Sequence, residues 1–233
     1  MVAGQGRAGV TTTALAWAYA RPGTVLVEAD PAGGEVWAWQ LVPDTGLSEL
    51  AAHVLRHGEV TPEQLRDRAH PTGCGVPVVT APAMGQGAAA SVAATVEVLP
   101  KLSTEVDLVV DSGVVDLEAP GRRALLGAAD RVLLLVVPTA SGLARLADRL
   151  PALRQVCGER LQVAAVDIGW SGPPPHRGGE VSALLAGGLV ELPYDPRTAG
   201  ALAGRPGVLP SAGRRWGWWT GWRFPLLAAV TRL

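Results

Sequence analysis

Between Gly4 and Thr12 the chain reads Gly-Gln-Gly-Arg-Ala-Gly-Val-Thr-Thr, a G-x-x-x-x-G-x-T-T spacing that opens into an Ala-rich apolar run. Glycines at these positions let successive backbone N–H groups turn inward, and the start of the following helix carries partial positive charge. The two together form a cradle for an anion, with the Thr11 hydroxyl where a Mg2+ ligand would stand. Two acidic segments follow: Glu28-Ala29-Asp30-Pro31 and Asp111-Ser112-Gly113, each directly after a short apolar run. Carboxylates at the C-terminal tips of parallel strands lie where ligands of such sheets bind. The plainer alternatives are a glycine turn kept for tight helix–sheet packing and strand-end carboxylates that are merely solvated or cap a helix. The histidines His53, His57, His70 and His176 show no metal-ligand spacing and read as surface residues. Ser112 lacks the nucleophile-elbow pattern of a hydrolase.

The elements that must position these residues alternate. Apolar runs at 24–29, 76–81, 108–111, 131–137, 162–168 and 189–192 read as strands. Helical spacing covers 12–19, 47–55, 88–102, 122–129, 143–156 and 225–233, and Thr61-Pro62-Glu63-Gln64 is a helix start with an N-cap threonine and proline at the first helical position. That alternation predicts an α/β three-layer sandwich, a mostly parallel sheet flanked by helices on both faces. Residues 1–233 are expected to form one domain, since neither a repeat nor a low-complexity linker interrupts them. The Pro/Gly-rich stretch 169–179 reads as a loop. Only Met1-Val2-Ala3 precedes the first glycine, so the first strand is a stub; either the sheet tolerates it or translation starts further upstream.

The composition agrees. The chain is 48% hydrophobic but only 5% aromatic, which requires an aliphatic core. Its 18% of charged residues falls below the usual ~25% and implies elements buried on two sides. A net charge of -1 gives no global attraction to nucleic acid. Cys74 and Cys157 are too few for a disulfide framework or a structural zinc site. With no signal-peptide pattern and no apolar stretch of the ~18–20 residues that span a bilayer, a cytoplasmic location is expected. Lys101 is the only lysine and Ile168 the only isoleucine, a usage that points to a GC-rich, actinobacterial-type genome.

In order and spacing the motifs resemble those of the ParA/MinD group of P-loop ATPases, and the resemblance runs from Gly4 to Leu233. Gly9-Val10-Thr11-Thr12 is similar to the family's G-K-T-T, Glu28-Ala29-Asp30-Pro31 to its D-x-D-P, Asp111-Ser112-Gly113 to its second switch, and Leu192-Pro193-Tyr194-Asp195-Pro196 to the late proline turn beside adenine. The resemblance implies ATP and Mg2+ as cofactors. The phosphates would lie on the backbone of Gly6, Arg7, Ala8, Gly9, Val10, Thr11 and Thr12, with Gly4 opening the loop and Pro193 near the base. Thr11 would hold Mg2+, Asp111 would support it through water, and Asp30 would orient the attacking water. ATP-driven homodimerisation and a protein partner are implied as well.

The departures are as informative. Val10 and Gln5 stand where the family carries its two lysines, Arg7 replaces a family glycine, and Asp167 stands near where relatives carry an adenine-reading asparagine. Phosphoryl transfer depends on cations set against the migrating phosphoryl group, and removing one such group costs roughly 10²–10³ in rate. The expected function is therefore a lysine-less positioning or adaptor module that binds ATP with weak or no hydrolysis. The alternatives are an active partitioning or secretion-associated ATPase, with Arg7 or a partner supplying charge, and a binding protein with an empty pocket. Four of the eight tryptophans (Trp216, Trp218, Trp219 and Trp222) interleave with arginine near the C-terminus. They suit packing or protein contact, a membrane surface, or stacking on nucleic-acid bases.

Overall fold

The computed structural model describes residues 1–5, 8–83, 85–119, 121–167, 189–205, 209 and 224–233. Among the described residues eight strands form one sheet: β1 (Val2–Gly4), β2 (Val25–Glu28), β3 (His70–Pro71), β4 (Pro77–Val79), β5 (Leu108–Val114), β6 (Val132–Val136), β7 (Leu161–Val166) and β8 (Leu189–Leu192). Their order across the sheet is β3-β4-β2-β5-β1-β6-β7-β8. Every pairing is parallel except that of β3, whose His70 and Pro71 run antiparallel to Val78 and Pro77. The sheet is thus mostly parallel, as the alternating pattern requires.

Side-chain alternation along the strands feeds two separate cores. In β6, Val132, Leu134 and Val136 join one, while Leu133 and Leu135 join the other; none of the five is more than 1% exposed. On the first face lie α3 (Gly46–His57), α4 (Pro62–Asp67), α5 (Gly85–Thr95), α6 (Leu99–Leu102), α7 (Arg122–Ala128) and α8 (Ala140–Cys157), contributing among others Leu50, Leu65, Val92, Leu126 and Leu146. On the second face lie α1 (Val10–Tyr19), α2 (Val36–Gln40), α9 (Pro196–Leu202) and α10 (Pro225–Val230), through Leu15, Val36, Leu202 and Leu227. A strand row buried on both faces must be continuously apolar, which is why these segments lack a polar alternate.

One helical expectation and one histidine placement need correction. The span 88–102 is not one helix. It breaks between Thr95 and Leu99, because Pro100 has no N–H to continue a ladder and instead takes an opening position in α6. At Thr61 the capping box is complete, with Gln64 N–H donating to Thr61 Oγ1 and Thr61 N–H to Gln64 Oε1. The second correction concerns His70: it is a half-buried residue of β3, and its Nε2 is buried rather than at the surface.

β1 has 3 residues against 7 in β5, and a cleft of about 300 Å3 opens beneath it among Met1, Trp17, Thr24, Leu108, Val109 and Arg131. It lies at the N-terminal ends of the strands, away from the acidic tips. No described helix is long and apolar enough to cross a membrane.

Candidate functional site

At the opposite, C-terminal edge the tips of β1, β5 and β2 lie side by side, in register through Val2 with Asp111 and Glu28 with Asp111. From β1 the chain enters the glycine loop. Gly4 must be glycine: a Cβ there would lie 2.4 Å from Val10 Cγ2. Gly9 turns the chain into α1 at φ 71, in the left-handed region that glycine adopts without strain. Ala8 and Val10 are buried in the second core, so the side chain at position 10 folds back against Gly4. Thr11 and Thr12 are half-buried. Gly6 and Arg7 lie outside the described residues. Gln5 is 6% exposed, and neither its amide nitrogen nor its amide oxygen finds a partner, although its backbone N–H donates to the Leu135 carbonyl at 3.1 Å.

The loop and the acidic tips meet. The Asp111 carboxylate accepts the Gly113 N–H at 3.0 Å, and the Thr11 side chain lies close enough to favour its charged form. Asp111 is 1% exposed, and burial pushes its pKa up to about 6 against the Gly113 N–H and the neighbouring Thr11 side chain. Asp30 accepts the Ala32 N–H at 2.8 Å and lies directly over Gly113, where a Cβ would come within 1.9 Å of Asp30 Oδ2. Burial raises Asp30 too, while Arg122 pulls it down. Behind them, Glu28 accepts the Glu35 and Val36 N–H groups on Oε1 at 2.8 and 2.9 Å and the Ala81 N–H on Oε2 at 3.1 Å. Even so, burial pushes Glu28 up to about 7. Ser112 is taken up structurally, donating its hydroxyl to the Val2 carbonyl at 3.1 Å.

These shifts have a sign that can be tested. Glu28 and Asp111 hold their protons more tightly folded than unfolded. Their contribution to stability is full below the ordinary carboxylate values of 4.5 and 3.8, and is lost as pH rises through about 7 and about 6. Comparing wild type with Glu28→Gln isolates one of them. The stability of wild type relative to the variant, from urea unfolding, falls between pH 4.5 and about 7 by up to about 1.4 kcal/mol per pH unit and levels off above. A relative stability that rises with pH would contradict a protonated, buried Glu28.

Of the residues singled out from the sequence, Gly4, Thr11, Asp30 and Asp111 converge. Pro193 sits further along the same edge, at the tips of β7 and β8, where the Asp167 N–H donates to the Leu192 carbonyl at 2.9 Å. Arg122, at the start of α7, had no signal in the sequence beyond a Gly-Arg-Arg triplet that reads as a solvated helix start. It is 2% exposed, with Nη1 donating to the Ala29 carbonyl at 3.1 Å. Trp216, Trp218, Trp219 and Trp222 lie outside the described residues.

A glycine loop entering a helix between two acidic strand tips, on this strand order, defines a P-loop ATPase fold of the ParA/MinD type. Solved structures of that group superpose over nearly the whole chain. Cell division ATPase MinD from Pyrococcus furiosus matches at TM-score 0.68 and 19% identity over 99% of this chain and 96% of its own. Septum site-determining protein MinD from Pyrococcus horikoshii, complexed with Mg-ADP, matches at 0.65 and 20% over 88% and 84%. A ParA family ATPase from Chlorobium tepidum matches at 0.64 and 14% over 87% and 89%. No protein-family model and no curated protein matches the sequence.

Proposed function

We propose that the chain binds ATP with Mg2+ on the Gly4–Thr12 loop and acts as a ParA/MinD-like positioning or adaptor module whose turnover is weak or absent. The observation that carries this reading is the approach of Thr11 to Asp111: it brings the first turn after the loop onto an acidic strand tip while positions 5 and 10 hold no lysine. Mg2+ is held in such sites by few protein ligands together with phosphate oxygens and water. Thr11, Asp111 and Asp30 suit that arrangement. Among the described residues no group of His, Cys, Asp or Glu could hold a metal by itself, so the ion would arrive with the nucleotide. Bound there, Mg2+ would neutralise phosphate charge. Thr11 and Asp111 would orient it, Asp30 would hold a water, and the buried Val10 would leave the loop without an ammonium. A homodimer closing over the nucleotide belongs to the same reading, by resemblance to ParA/MinD proteins.

Calorimetric titration with ATP and Mg2+ tests the binding, and a silent titration removes the nucleotide reading. Phosphate release by the purified chain is expected to stay near background. Rapid turnover, abolished by Asp30→Ala, would replace the adaptor with an active ATPase.

A further inference from the structure

We propose that Arg122 is a phosphate-binding residue of this chain, approaching the strand tips from the face opposite α1 and supplying the positive charge that Gln5 and Val10 do not. The inference rests on the nucleotide reading above and assigns to Arg122 the outermost phosphoryl group. Arg122 is among the largest fully buried side chains, yet its guanidinium is half-used: Nη1 reaches the Ala29 carbonyl, and the buried Nη2 has no acceptor. A guanidinium kept only for structure is normally satisfied, because burying charged donors without partners is strongly unfavourable. Asp30, Asp116 and Asp111 all attract it, but none comes within ion-pairing distance; among the described residues the sole salt bridge is Arg66 with Glu63. The nearer carboxylates are otherwise engaged, Asp30 with the Ala32 N–H and Asp111 with the Gly113 N–H.

The placement follows the chain of contacts. Arg122 holds the residue that precedes Asp30, Asp30 lies over Gly113, and Asp111 two residues earlier stands beside Thr11 at the first turn of α1. Glycine-loop amides would take the inner phosphates. An oxyanion extending from them over the tips of β5 and β2 would be drawn to the unpartnered Nη2 edge of Arg122, a buried edge that must open to meet it, and the planar fork matches two phosphoryl oxygens.

The test is calorimetric titration of the full-length chain with Mg-ATP and Mg-ADP, for wild type, Arg122→Gln and Arg122→Lys, with circular dichroism confirming the fold. Arg122→Gln is expected to weaken ATP roughly 10–100-fold while leaving ADP within about twofold, the loss of a hydrogen bond to a charged group. Arg122→Lys, which keeps the charge but not the fork, loses part of the ATP-over-ADP preference. Should the Gln variant fail to fold, the Lys variant decides alone: an unchanged ATP-to-ADP ratio overturns the assignment. Equal weakening of both nucleotides gives Arg122 a structural role and likewise overturns it. If wild type binds neither nucleotide, the nucleotide reading itself has failed; if wild type binds and the Arg122 variants match it, only this inference has.

Discussion

Replacing Val10 with lysine is expected to raise phosphate release by roughly 10²–10³-fold, because it returns an ammonium to the inside of the loop where charge develops on the transferring phosphoryl group. Val10 sits at the first position of α1, packed against Gly4 and buried in the second core. The aliphatic stem of a lysine can retrace the valine's path while its head extends toward the loop. The extra methylenes would cost about 1–3 kcal/mol of stability, the usual penalty of overpacking. Gln5→Lys should add to the gain once nucleotide pairs the new charge, but at a cost to the nucleotide-free chain, since Gln5 is buried and offers an ammonium no partner. Arg122 does not make these lysines redundant: it faces the site from the α7 side of the sheet, beyond Asp30, and an added lysine at position 10 would act from within the loop. The control is Asp30→Ala in the same background, which should return release to the wild-type level. If Val10→Lys binds nucleotide and still releases no phosphate, the missing ammonium is not what limits turnover.

The sheet and its layers could be read from the sequence because burial on two faces leaves a continuous apolar run, and β6 shows it directly. The loop and the acidic tips could be read because their chemistry is local: glycines at fixed offsets, and carboxylates immediately after a strand. What could not be read depends on tertiary distance. The close fit of Gly113 beneath Asp30 joins two turns far apart in sequence. The unpaired guanidinium of Arg122 looks, in sequence, like any arginine opening a surface helix. Helix α2 and the antiparallel β3 are too short for periodicity to register. The break before α6 was concealed by an Ala/Val-rich stretch whose composition favours helix on both sides of Pro100. Burial also overturned the ordinary reading of Glu28: an acid at a strand end looks solvated, but Glu28 is 1% exposed and enclosed by three backbone N–H groups.

Gly113→Ala should be among the most damaging small substitutions in the chain, lowering stability by about 3 kcal/mol or more. Two independent terms contribute. Gly113 has φ +60, where a residue with a Cβ loses roughly 1–2 kcal/mol. The new methyl would also lie 1.9 Å from Asp30 Oδ2 and 2.0 Å from Asp30 Cγ, so the carboxylate must leave. Only the second term depends on Asp30, and a double-mutant cycle separates them. Asp30→Ala alone should cost little: it loses the hydrogen bond from Ala32 and the attraction of Arg122 but relieves a partly buried charge that raises Asp111. In the double variant the alanine methyl has room, and the loss should fall back toward the backbone term, a coupling of about 1–3 kcal/mol by urea unfolding. Additivity within about 0.5 kcal/mol would mean that Asp30 does not rest on Gly113. The same contact bears on function, since Gly113 donates to Asp111 while supporting Asp30. A methyl at this one position would therefore disturb both acidic tips together, and Mg-ATP affinity should fall with stability in Gly113→Ala but recover only in part in the double variant, where the support is restored and Asp30 is absent.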